Sequence, residues 1–161
     1  DVEDESVSRT TRALCIAASL LVLLEGPAAS VVINEMELNP PEGEVDWIEI
    51  YNPGNQSVDI SSWTAEITDG SWTGRFEAVA PGTILLPGGF YVFNGQETWD
   101  HDDGGYAVLY SASGEILDKT ANRNDGLNND FTFGRHPDGY DTNTDGDWGL
   151  GSATKGVSNI R

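Results

Sequence analysis

The chain of 161 residues carries 8 Lys and Arg against 27 Asp and Glu, a formal net charge of −19. A chain this acidic repels phosphate, which excludes non-specific nucleic-acid binding and attachment to an anionic membrane through a basic patch. With 38% apolar residues and 19 glycines it is too apolar for a disordered acidic tail and too glycine-rich for a helical bundle, and its single Cys15 excludes an internal disulfide and a cysteine-based zinc site.

The first 30 residues read as a separate segment. Arg9 and Arg12 precede an uninterrupted apolar run over 13–24, followed by Glu25-Gly26-Pro27 and the small residues Ala28, Ala29 and Ser30. A basic region, a short apolar helix, a helix breaker and a small-residue end are the marks of a secretory signal peptide. The run is short of the roughly 20 apolar residues that span a bilayer. Residues 1–30 are therefore expected to be a signal peptide or signal anchor, and 31–161 one domain that is secreted or held at the cell surface. Membrane attachment follows only if 13–24 is retained. The 31–161 part keeps 6 basic and 22 acidic residues and no cysteine. It must fold on its apolar core, helped at most by a bound cation.

From residue 31 the pattern is that of strands. Val31-Val32-Ile33 with Met36 and Leu38 opens the domain and ends at Pro40-Pro41-Glu42-Gly43. Ile48 and Ile50 alternate with Trp47 and Glu49 up to Tyr51, as in a half-buried strand, and Asn52-Pro53-Gly54-Asn55 is a turn by residue type. Val58 and Ile60 flank Asp59. Trp63, Ala65 and Ile67 alternate with polar residues and stop at Asp69-Gly70. Phe76 and Val79, Ile84-Leu85, Phe90 with Val92 and Phe93, Tyr106 with Val108 and Tyr110, Ile116-Leu117, and Phe131 with Phe133 follow, separated by Pro81-Gly82, Pro87-Gly88-Gly89, Asn94-Gly95 and Ser113-Gly114. Turn signals recur every ten residues or so with no helical period, the signature of an all-β sandwich.

Five blocks in this order resemble the lamin tail domain family. They are Val31-Val32-Ile33-Asn34-Glu35-Met36-Glu37-Leu38-Asn39-Pro40, Asp46-Trp47-Ile48-Glu49-Ile50-Tyr51-Asn52-Pro53-Gly54, Val58-Asp59-Ile60-Ser61-Ser62-Trp63, Phe133-Gly134-Arg135-His136-Pro137-Asp138-Gly139 and Ala153-Thr154-Lys155-Gly156-Val157-Ser158-Asn159. In the last block Lys155 stands where the family usually has proline, so the closing turn is expected to be less rigid. The resemblance covers about 31–159. It implies an immunoglobulin-like β-sandwich, here preceded by the short apolar N-terminal segment, and a role as an attachment or interaction module rather than a particular chemistry.

Asp141-Thr142-Asn143-Thr144-Asp145-Gly146-Asp147 has the D-x-N-x-D-G-D spacing of the first half of a calcium loop. Alternate oxygen-bearing side chains converge there, and glycine permits the sharp turn. Asp141, Asn143, Asp145 and Asp147 are the candidate calcium ligands, with Asp138 just upstream. The twelfth position, Ser152, lacks the usual bidentate carboxylate, and the competing reading is a solvated polar loop. Glu42, Glu44 and Asp46, with Glu35 and Glu37 on the preceding strand, read as a solvated acidic face.

His101 and His136 lie in unrelated blocks and read as exposed loop residues. No nucleophile elbow or phosphate loop appears, so no catalytic residue is assigned. Trp47 and Trp63 are assigned to packing. Trp72 and Trp99 lie beside turns and are the candidate ligand-binding residues, since exposed indoles stack on sugars. The functional expectation is a non-catalytic adhesion, attachment or structural module, without a certain cofactor, whose partner is a protein, a cell-surface polymer or a second copy. The alternatives are a calcium-dependent glycan-binding module and a protomer of an extracellular filament or surface layer.

Overall fold

The computed structural model describes residues 31–69, 72–95 and 104–159; the expected signal segment, Trp99 and His101 lie outside them. In chain order the strands are β1 (Val32–Glu37), β2 (Trp47–Tyr51), β3 (Val58–Asp59), β4 (Thr64–Asp69), β5 (Trp72–Arg75), β6 (Ile84–Leu85), β7 (Phe90–Asn94), β8 (Gly105–Tyr110), β9 (Ile116–Lys119), β10 (Phe131–Arg135) and β11 (Trp148–Ser152). The one helical turn among the described residues is the 3-10 turn Asp145–Asp147. The alternating stretches have thus become strands as expected, except that Phe76 and Val79 lie in a connection, and β5 and β11 are strands that the pattern did not mark.

Two antiparallel sheets face each other as a β-sandwich. One has the order β11-β10-β1-β2-β7 and the other β5-β4-β8-β9, with β3-β6 as a small separate pair. Ile33, Met36, Ile48, Ile50 and Phe93 project from the first sheet onto Ala65, Ile67, Ala107 and Leu109 of the second, and Ile60, Phe76 and Val79 from the connections with Leu85 of β6 complete the core. Trp63 packs against it from the side, and Trp47 is buried on the outer face of the first sheet. The buried apolar side chains contribute the main stabilisation, on the order of 1.5–3 kcal/mol each.

One irregularity sets the chemistry of the outer face. β1 and β2 pair Ile33 with Ile50 and then Glu35 with Glu49, so Asn34 is an extra residue, a β-bulge. The bulge lets Ile33 and Met36 both face the core while Asn34 and Glu35 both reach the outer face. Glu35 and Glu49 thereby become directly opposed neighbours on adjacent strands.

Candidate functional site

The calcium-like stretch follows β10 and closes on itself. Asp147 accepts from the Thr142 hydroxyl at 2.7 Å, the Thr142 N–H at 2.7 Å and the Thr144 N–H at 3.2 Å. These bonds, the Thr142 hydroxyl foremost, hold its pKa below the usual aspartate value. Asp141 accepts from the Arg135 Nη1 at 2.9 Å and the Asn143 N–H at 3.0 Å. Asp145 points outward to Arg123 Nη2 at 3.1 Å, and Asn143 is exposed with φ 57°. The structure thus brings Asp141 and Asp147 together around Arg135, and sends Asp145 and Asn143 elsewhere. Among the described residues no three His, Cys, Asp or Glu side chains are grouped as metal ligands.

Arg135 is the cation at this end of the sandwich. Its side chain is 3% exposed. Nε donates to the Ile33 carbonyl at 2.7 Å and Nη1 to the Tyr140 carbonyl at 3.0 Å. The guanidinium lies 3.4 Å from Asp118, 3.6 Å from Asp147 and 4.7 Å from the centre of the Trp148 ring. Asp118 belongs to β9 of the other sheet and also accepts from the Ile33 N–H at 2.8 Å, so one ion pair and one hydrogen bond join the two sheets. Burial pushes the Asp118 pKa up, against the opposing pull of that N–H and of Arg135. A planar fork that serves carbonyls and carboxylates at once requires arginine; lysine has no such geometry.

The acidic residues of β1 and β2 differ most from their sequence reading. Glu42 and Glu44 are exposed, but Glu35, Glu37, Glu49 and Asp46 are buried. The cover is the chain's last described stretch, 153–159, which runs as a strap over the outer face of the five-stranded sheet. Glu35 accepts from the Thr154 N–H at 2.9 Å and the Thr132 hydroxyl at 2.5 Å. Glu49 accepts from the Gly156 N–H at 2.6 Å and Asn34 Nδ2 at 3.1 Å. Asp138 accepts from the Asn159 N–H at 3.0 Å, from Asn34 Nδ2 at 3.0 Å and from the Ser158 hydroxyl.

The strap therefore donates to three sheet-face carboxylates in sequence. Gly134 leaves it room: a Cβ there would lie 2.7 Å from Asn159 Nδ2. Val157 N–H returns to the Thr154 carbonyl at 2.9 Å with Gly156 at φ 83°, a type II turn whose second position is Lys155. That is the position proline favours, and here the Lys155 ammonium instead sits 5.2 Å over Trp47. Burial lowers the Lys155 pKa. Desolvation raises the pKa of Glu35, of Glu49 to about 7 and of Glu37 to about 8. Polar alternation on β1 and β2 gave the facing of these side chains; the cover comes from a segment 119 residues away and had no local signal.

An open feature lies at the opposite edge. A cleft of about 480 Å³ runs between β7 and residues 75–80, where the two sheets separate. Phe76, Tyr91 and Phe93 line it, with the Phe76 and Phe93 rings tilted at 51° and 5.9 Å apart and Tyr91 edge-on to Phe93 at 5.0 Å. Arg75, Glu77, Ala78 and Ala80 are exposed along its rim, and β7 ends the sheet, so one side of its backbone has no strand partner among the described residues. Trp72 opens β5, which leads to Arg75 on this rim; only its backbone is among the described atoms. His136 is exposed.

The model of the lamin tail domain family matches residues 25–147. No curated protein matches the chain.

Proposed function

The chain belongs to the lamin tail domain family, and on that premise we propose that it is a non-catalytic attachment module of the secreted or cell-surface type, gripping an extended stretch of a protein or surface polymer. The observation that carries this reading is the seam between β7 and residues 75–80. It combines an aromatic floor, charged rim residues and an unpaired strand edge. An extended partner meets the hydrogen-bonding need of that edge and places alternate groups on the aromatic floor. The polar constellations elsewhere are spent on the fold: Arg135 on joining the sheets, and Glu35, Glu49 and Asp138 on holding the strap.

The test is binding of the full chain to isolated cell envelopes of the producing organism. Ala78→Arg with Ala80→Arg fills the rim of the seam from exposed positions and leaves the core untouched. Saturable binding that this double variant loses, at an unchanged melting temperature, supports the reading. Absent binding, or binding indifferent to the filled seam, overturns it. So does hydrolysis of a nucleic acid, ester or glycan that one point change abolishes.

A second reading rests on the other end of the same sheet. β11 is also an edge strand, with Leu150 exposed on it and Phe131 exposed on neighbouring β10. Head-to-tail pairing of β11 with β7 of a second copy gives an open, non-closing assembly, the filament protomer. Particle size that grows with concentration in small-angle scattering distinguishes it from a monomeric module.

A further inference from the structure

The hydroxyl of Thr154 has one hydrogen and two neighbours that both want it. Glu35 Oε2 is 2.9 Å away and Asn159 Oδ1 is 2.7 Å away. The Asn159 amide cannot be turned round. Its Nδ2 donates to the Asn34 carbonyl at 3.2 Å and the Arg135 carbonyl at 2.8 Å, and a flip would press oxygen against both. Oδ1 is therefore an acceptor, and the shorter contact takes the Thr154 proton. One hydrogen is then missing between Glu35 Oε2 and Thr154 Oγ1, and Glu35 is the only one of the three groups able to carry it.

The neighbours agree with this count. Both oxygens of Glu49 accept, one from Asn34 Nδ2 and one from the Gly156 N–H, and both oxygens of Asp138 accept. Glu49 meets only N–H donors, so a proton on either of its oxygens would displace one of them, while Asp138 keeps two N–H donors on one oxygen and the Ser158 hydroxyl on the other. Glu35 faces Glu49 directly across the strand pair, and two buried carboxylates so placed do not both ionise. The other titratable or charged groups around Glu35 are Asp138, Arg135 and His136 of β10 and its following turn, Lys155 on the strap and Glu37 on its own strand. The Lys155 ammonium is turned to Trp47, and the Arg135 guanidinium is engaged between the sheets.

We infer that Glu35 is held as a neutral carboxylic acid whose proton, passed as a hydrogen bond to Thr154 and on to Asn159, latches the 153–159 strap onto the sheet. The strap is then a proton-dependent closure. When Glu35 loses the proton, Thr154 has one hydrogen for two acceptors, and two opposed carboxylates lie under the strap. The closed form is the acid form, and rising pH opens it.

The test uses the full chain. Carbon-13 NMR of the glutamate carboxyls reads the Glu35 proton directly from about pH 5 to about pH 9, and amide exchange over 153–159, corrected for its intrinsic pH dependence, reads the latch. The Glu35 carbon is expected in its acid form at the lower end, and the Thr154 and Gly156 amides are expected to lose protection as it ionises, about tenfold for each unit separating the folded and opened pKa values. Glu35→Gln places an N–H where the acid O–H stands, so it should keep the strap protected over the whole range. Glu49→Gln sets an N–H against an N–H and should open it. A Glu35 carbon that is ionised throughout overturns the inference. So does a Glu35→Gln strap as exposed as that of Glu35→Ala.

Discussion

Replacing Arg135 by Met removes the only cation among Asp118, Asp141 and Asp147 while keeping much of the side-chain volume. The guanidinium makes hydrogen bonds of 2.7, 3.0 and 2.9 Å to Ile33, Tyr140 and Asp141 and lies 3.4 Å from Asp118. Asp118, 8% exposed in its side chain, would be left with only backbone N–H partners at Ile33 and Lys119. Breaking a buried ion pair from one side costs about 3–5 kcal/mol, because the abandoned carboxylate stays desolvated. Against a total of about 5–15 kcal/mol, that is about a fifth of the stability or more. At about 3–5 °C per kcal/mol for a domain of this size, the melting temperature should fall by about 10–20 °C.

The loss should also depend on pH. Asp118 is already raised by burial, and without the opposing pull of Arg135 its folded pKa rises further above that of the unfolded chain. A group shifted in that sense stabilises at low pH and loses its contribution as pH rises. The gap between wild type and Arg135→Met should therefore narrow between neutral pH and about pH 4. Arg135→Lys keeps the charge but loses the fork and should fall between the two. Urea titrations followed by far-ultraviolet circular dichroism at both pH values measure all three. A neutral-pH cost below about 1 kcal/mol, the level of an exposed pair, would refute the reasoning, as would a gap that does not change with pH.

Wild-type stability should decline as pH rises from about 5 to about 8, because Glu37, raised from 4.5 to about 8, and Glu35, raised by burial, still hold protons that the unfolded chain has released. Glu37→Gln should flatten that decline in thermal melts, and an equal slope in the variant would count against it. Gly134→Ala should cost about 1–3 kcal/mol by pushing Asn159 off two carbonyls; in an Asn159→Ala background the same change should cost much less, and additivity in this double-mutant cycle would show that the strap does not limit the site. Calcium at matched ionic strength should leave the wild-type melting temperature unchanged, since Asp141 and Asp147 already face Arg135. A stoichiometric heat in calorimetry would show that the 141–147 loop reorganises around the ion.

What was legible in the sequence follows the range of its causes. The strands of the sandwich came through because facing is local: Ile48 and Ile50 alternate with Trp47 and Glu49, and the turns carry Asn, Pro and Gly where the backbone needs them. The family blocks set their order. Spacing along 141–147 does not say which side chains meet: Asp141 and Asp147 come to Arg135, six residues upstream of Asp141, while Asp145 turns to Arg123. The acidic residues of β1 were read as solvated because outward-facing and water-exposed are the same pattern until something covers them. Only the partners of Thr154, Gly156 and Asn159 reveal the cover, and those bonds span 107 to 125 positions when the strap meets β1 and β2. The seam beside β7 had no signal at all, being a gap between two sheets rather than a motif.

The bond from Thr154 to Glu35 also has a consequence for synthesis. β1 is the middle strand of its sheet, yet its outer side waits for residues made 119 positions later. A nascent chain must keep that side in water until the end of the domain has left the ribosome. An apolar strip left open so long would invite neighbouring chains to add to it, as slow-forming long-range β-sheets commonly do. Glu35 and Glu49 keep the waiting strip hydrated and charged, so the same carboxylates that bind the strap at the end protect the strands before it arrives.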